Sequence, residues 1–176
     1  MNEDRKKFEE LAEKIKKMKA SGEVDLSSEE DLSLAVMNLV SLEEHFFMTG
    51  EKTQKPEYFD ILAEVRELRK KLLGRLIDRS KHEGETWCIT KHLLATTMRL
   101  MEVGTKAQGD GKKEEAKELF DQAYKMYSIF WGLRLNLLKL PDIKQMAKEE
   151  EALRQAQGKP WTLQEVVDKL VDCCDE

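Results

Sequence analysis

Residues 28–49 read SEEDLSLAVMNLVSLEEHFFMT, and this stretch decides the fold class. At about 100° per residue, Leu32, Ala35, Val36, Leu39, Val40, Leu42, Phe46 and Phe47 fall on one arc. That is the pattern of a helix with one buried face. Ser27 and Glu30 have capping-box spacing at its start, and Gly50 is expected to close it. One residue breaks the pattern. Glu43 lies inside the apolar arc, where a charge must be paired, reach water along its stem, or face a ligand.

The same period recurs on both sides. Glu3 to Lys19 reads as a charged helix with a narrow stripe of Phe8, Leu11, Ile15 and Met18, ended by Ser21-Gly22. Pro56 opens a third helix in its first turn, running to about Ser80. Its arc holds Phe59, Leu62, Val65, Leu68, Leu72, Leu73 and Leu76, with Arg69 among them. A fourth helix spans about Thr86 to Gln108, with Ile89, Leu93, Leu94, Leu100, Met101 and Gly104 on a broad face. There Thr90, Thr97 and Gly104 recur every seven residues, and small residues at that spacing permit close approach of another helix. Gly109-Asp110-Gly111 is a turn. A fifth helix from about Lys112 to Leu138 turns Ala116, Phe120, Ala123, Tyr127, Phe130 and Leu137 inward, with Arg134 on the same side, and stops before Pro141. Short connections make antiparallel neighbours. The expected fold is therefore all-α: an antiparallel up-down-up-down four-helix bundle with accessory N-terminal and C-terminal helices. Three parts are expected: an accessory amphipathic helix in 1–22, the bundle core in 27–140, and a polar spacer helix with an amphipathic C-terminal helix in 141–176. That last helix starts at a second capping box, Thr162 with Glu165. It carries Leu163, Val166, Val167, Leu170, Val171 and Cys174 at i, i+3, i+4, i+7 spacing.

Composition agrees. Of 176 residues 37% are charged, against about 25% in ordinary domains, while 40% are apolar and only nine are Gly and three Pro. The net charge of −5 argues against a general nucleic-acid binder, which carries a basic excess. The charged N-terminal stretch lacks a signal-peptide core, and no uncharged apolar run is long enough for a membrane span. Cys88, Cys173 and Cys174 make a poor disulfide framework. A reduced, cytoplasmic chain is expected.

The inward charges are the first functional candidates. Counting helix rise, Arg66 and Arg69 both come within reach of Glu43, so a Glu43–Arg66 or Glu43–Arg69 ion pair is expected. It serves either to fix helix register or to line a pocket for an acidic or phosphorylated ligand. Arg134 lies beside Trp131 and near Trp87, where stacking on an aromatic ring is the simplest account. On the fourth helix Cys88, His92, Arg99, Glu102 and Lys106 share one stripe. It reads as a solvated face with an Arg99–Glu102 pair rather than as a zinc site, which needs three or four ligands. No metal or cofactor is expected. Two aromatic groups, Phe46, Phe47, Tyr58 and Phe59 at one end and Trp87, Phe130 and Trp131 at the other, read as plugs of the core.

The third helix also carries a basic ridge of Lys71, Arg75, Arg79 and His82, opposite the apolar arc. Such a ridge is a solvated face or a track for phosphates. Arg75 and His82 resemble the Arg-x(4–6)-His spacing of HEPN ribonuclease bundles, with Leu76 where a polar residue usually follows the Arg. The resemblance implies RNA-directed activity. Leu100, Val103, Gly104, Gly111, Ala116, Phe120 and Ala123 are similar in spacing to a tetratricopeptide helical hairpin. Leu100, Ala107 and Ser128 replace the Trp, Tyr and Pro of that motif, and no second copy follows at a 34-residue offset, so it reads as a generic tight hairpin. P-loop, G-x-S-x-G, HExxH, paired CxxC and EF-hand motifs are absent from the sequence. The expected function is non-enzymatic: protein–protein interaction or self-association in an adaptor or assembly role, through Leu163, Val166, Val167, Leu170 and Val171. A small anionic ligand held by the inward Arg and Glu residues is the alternative, and RNA binding by a HEPN-like bundle a further one.

Overall fold

Every element that the computed structural model describes is an α-helix; it covers residues 3–22, 25–78 and 85–138. The helices are α1 (Glu3–Ala20), α2 (Leu26–Thr53), α3 (Glu57–Leu76), α4 (Glu85–Gly109) and α5 (Lys113–Arg134). No strand occurs among the described residues, and no helix there is long and apolar enough to cross a membrane.

The termini of α2 differ from expectation at both ends. Its N-cap is Asp25, not Ser27: the carboxylate accepts from the Ser28 backbone N–H at 3.3 Å and from the Ser28 hydroxyl at 2.7 Å. An aspartate there satisfies an orphan donor and also complements the positive end of the helix dipole. Gly50 does not close the helix. The chain continues to Thr53 and ends at Gln54, which takes the left-handed conformation (φ 54°) and donates its N–H to the Gly50 carbonyl. Gly50 is instead needed for space, since a Cβ there would lie 2.7 Å from the Phe59 ring.

Pro56 then caps α3 with φ near −63°, a value its ring imposes. α3 ends at Leu76, short of Ser80, because Ile77 turns extended and buries its branched side chain completely. α5 likewise ends before Leu138: Asn136 adopts φ 53°, and the amides of Leu137 and Leu138 both close on the Gly132 carbonyl.

Packing is strongest between α4 and α5 and between α2 and α3, and α2 also contacts α4. α1 makes no extensive contact with the other described helices; Lys14 reaches the Asn136 carbonyl at 3.4 Å. The core is lopsided. Val36, Met37, Leu73, Leu76, Ile77, Trp87, Cys88, Leu94 and Phe130 form one buried cluster. They come from the N-terminal halves of α2 and α4 and the C-terminal ends of α3 and α5. In the opposite halves the buried residues include Gly50, Gly104, Ala107, Ala116 and Ala123. Small residues there let each helix pair close tightly, but they build no large shared core.

Candidate functional site

Arg69 is the partner of Glu43. Its Nε donates to Glu43 Oε1 at 2.8 Å and its Nη2 to Oε2 at 3.3 Å, a two-pronged pair between α2 and α3. Helical phase chooses residue 69 over residue 66. Arg69, Leu73 and Leu76 stand at i, i+4 and i+7 on the buried stripe, whereas Arg66 is exposed. The Arg69 side chain is 1% exposed and that of Glu43 15%. Burial of a guanidinium is tolerable only with such a fork-to-fork acceptor. A ligand anion at this point would have to displace the Glu43 carboxylate.

Arg134 meets a carboxylate rather than the expected aromatic face. Its Nη2 donates to Glu29 Oε1 at 2.6 Å, joining the last turn of α5 to the first turn of α2. Both charges also suit their helix ends, the cation at a C-terminus and the anion at an N-terminus. Glu29 Oε2 and Arg134 Nε are buried without a hydrogen-bond partner among the described residues. Beside this pair the fully buried Ser33 hydroxyl donates to the Glu30 carbonyl and accepts from Tyr127 Oη at 2.7 Å.

The stripe on α4 divides. Cys88 is in the core, a correction to its assignment to a solvated face, while His92 is exposed. Arg99 bridges Glu102 on its own helix at 2.5 Å and Glu44 on α2. Among the described residues no group of three or more His, Cys, Asp or Glu is arranged to hold a metal ion. Of the basic ridge, Lys71 and Arg75 are exposed on α3, and Arg79 and His82 lie outside the described residues. So do Leu163, Val166, Val167, Leu170 and Val171.

Only one aromatic group is a core plug. Trp87 and Phe130 are fully buried, with Trp131 and Tyr127 packed edge-on and stacked around Phe130. The other group is only partly covered. Phe46 and Tyr58 are half-buried, Phe47 is 47% exposed and Phe59 is exposed, as is Met48 at 54%. Phe120, expected inside, is 38% exposed although its ring covers Gly104. Leu42 and Leu68, on the apolar arcs, are also exposed, as is Ile61, which adds to the arc of α3. The apolar arc of α3 runs from Phe59 to Leu68 over about 180°, wider than one neighbouring helix covers. That width was the available signal.

No protein-family model matches the chain, and neither the curated proteins nor the solved structures contain a significant match to it.

Proposed function

We propose that this chain is a non-enzymatic interaction protein of the cytoplasm, built as an antiparallel up-down-up-down bundle in residues 27–140 that engages a helix of a partner protein or of another copy. Pairwise contacts support the topology. Pairs along α2 and α3 run in opposite order, Gly50 meeting Phe59 early in α3 and the earlier Glu43 meeting Arg69 in its second half, and Gly104 late in α4 meets Phe120 early in α5. Glu29 at the start of α2 meets Arg134 at the end of α5. In the sequence, the segments 1–22 and 141–176 flank this core.

One observation carries the functional reading: large apolar side chains stand in water on the helices that share the core. Phe47, Met48, Ile61, Leu68, Met101 and Val103 are all exposed. Exposed Met, Phe and Leu side chains recur on surfaces that receive an amphipathic helix. The segment carrying Leu163, Val166, Val167, Leu170 and Val171 supplies the matching stripe. Deleting residues 158–176 should leave the bundle folded while abolishing association, read as the sedimentation coefficient and as retained partners. A truncated chain that sediments and captures partners as the full chain does would remove this reading. An anionic ligand at Arg69 would instead raise the melting temperature in a screen of nucleotides and acidic metabolites.

A further inference from the structure

We propose that the outer apolar face shared by α2 and α3 is the docking surface for residues 161–174 of the same chain. The inference rests on the helix-in-groove reading above and names the groove: the tail fills the groove of its own chain, and association is the exchange of that tail into the groove of another copy or onto a partner. On α2, Glu43 and Gly50 point at α3, and Glu44 points at Arg99 on α4. Leu42 and Phe46 lie about 50–90° from the α3 direction, on the side opposite Glu44. On α3, Phe59 and Arg69 point at α2, and a Cβ on Gly74 would lie 3.9 Å from the Trp87 ring of α4. Ile61, Val65, Leu68 and Leu72 lie about 80–140° away, on the side opposite Gly74. With the two helices antiparallel, both sets therefore face the same way, away from α4. Leu42, Ile61 and Leu68 are exposed, and Phe46, Val65 and Leu72 are half-buried.

Three properties of the chain fit residues 161–174 to this face. Length matches: Leu163 to Cys174 spans 11 positions, as Ile61 to Leu72 does, or about 17 Å along a helix. Charge is complementary at one end of the face. Residues 161–176 carry Glu165, Asp168, Asp172, Asp175 and Glu176 against a single Lys169, and the later part of the α3 rim presents the exposed Lys71 and Arg75, whereas its earlier part carries Glu57, Asp60 and Glu64. Reach is ample. The 22 residues 139–160 span up to about 70 Å when extended, whereas the 28 residues of α2 run only about 42 Å. Such a tether holds the segment at an effective concentration of the order of millimolar, which favours docking in cis over docking of a second copy.

Hydrogen exchange by mass spectrometry on the full chain tests this. Amides of 163–174 should be protected in the wild type at every protein concentration. Leu68→Glu, and separately Leu170→Glu, should cut that protection by about tenfold or more, with the amides of α4 and α5 unchanged as the control for folding. Ile61→Glu serves if Leu68→Glu disturbs that control. Absent protection in the wild type, or protection indifferent to Leu68→Glu and Ile61→Glu, overturns the proposal. Protection that rises with concentration overturns it too, in favour of a second copy on this face. Sedimentation separates the two readings. Association lost in Leu170→Glu with no effect of Leu68→Glu on the tail leaves the interaction role and removes this groove. Association unchanged in Leu170→Glu removes the interaction role itself.

Discussion

Cutting the Glu43–Arg69 pair from one side should damage the fold far more than removing it whole. Glu43→Leu takes the two-pronged acceptor from a guanidinium that is 1% exposed. Loss of one partner from a buried pair costs about 3–5 kcal/mol, because the remaining charge keeps its desolvation penalty. Arg69→Met does the reverse. It leaves a carboxylate that is 15% exposed and able to take up water, so the loss is that of a charged hydrogen bond, about 1.5–3 kcal/mol. The double variant replaces both groups with apolar ones of similar length and should fall within about 1 kcal/mol of the wild type. The resulting interaction energy in a double-mutant cycle is about 4 kcal/mol or more. Urea unfolding followed by far-ultraviolet circular dichroism measures all four proteins on one scale. Two outcomes would refute the reasoning. One is single variants of equal cost, which would show that the difference in burial does not govern the penalty. The other is a double variant as unstable as Glu43→Leu, which would show that the damage is packing rather than charge.

At Gly104 the first carbon of any side chain would lie 2.7 Å from the Phe120 ring; Gly104→Val should cost about 1–3 kcal/mol, most of it recovered in combination with Phe120→Ala. Tyr127→Phe removes the hydrogen bond to the buried Ser33 hydroxyl but leaves Ser33 donating to Glu30, so about 0.5–1.5 kcal/mol is expected by the same unfolding assay. Arg99→Ala severs contacts to Glu44 and Glu102 that are open to solvent on one side; it should cost under about 1 kcal/mol and less still at high salt. Hydrogen bonds from the Ser28 side chain and backbone hold the Asp25 carboxyl below its ordinary value of 3.8. A group depressed in the folded state contributes stability above its unfolded pKa and loses it as pH falls through the folded one. Asp25→Ala should therefore lower the melting temperature at neutral pH and shrink the loss of stability between the wild type's values at pH 5 and below about pH 4; an equal acid loss in both proteins contradicts the capping geometry.

The helices and the inward placement of Glu43 and Arg69 were legible because helical period is a local property: spacing along the chain sets which residues share a face, whatever lies opposite. Capping was only partly so. Asp25 and Ser27 are both competent N-caps, and the Asp25 carboxylate is the one that takes the Ser28 amide and hydroxyl. Gly50 shows the same limit. Its composition signal is that of a helix end, and only the Phe59 ring against it reveals a site of close approach.

What the sequence alone determined, then, is the all-helical class and the directions of the apolar arcs. Tertiary structure decided which parts of those arcs are covered. Leu73 and Leu68 belong to one arc on α3, yet the first is fully buried and the second is 47% exposed, because burial depends on how near the next helix comes. It also decided which charges meet. Arg134 and Glu29 are 105 residues apart, and nothing in the spacing of either helix encodes that distance; it follows from where the chain returns after three turns, a consequence of all the packing at once.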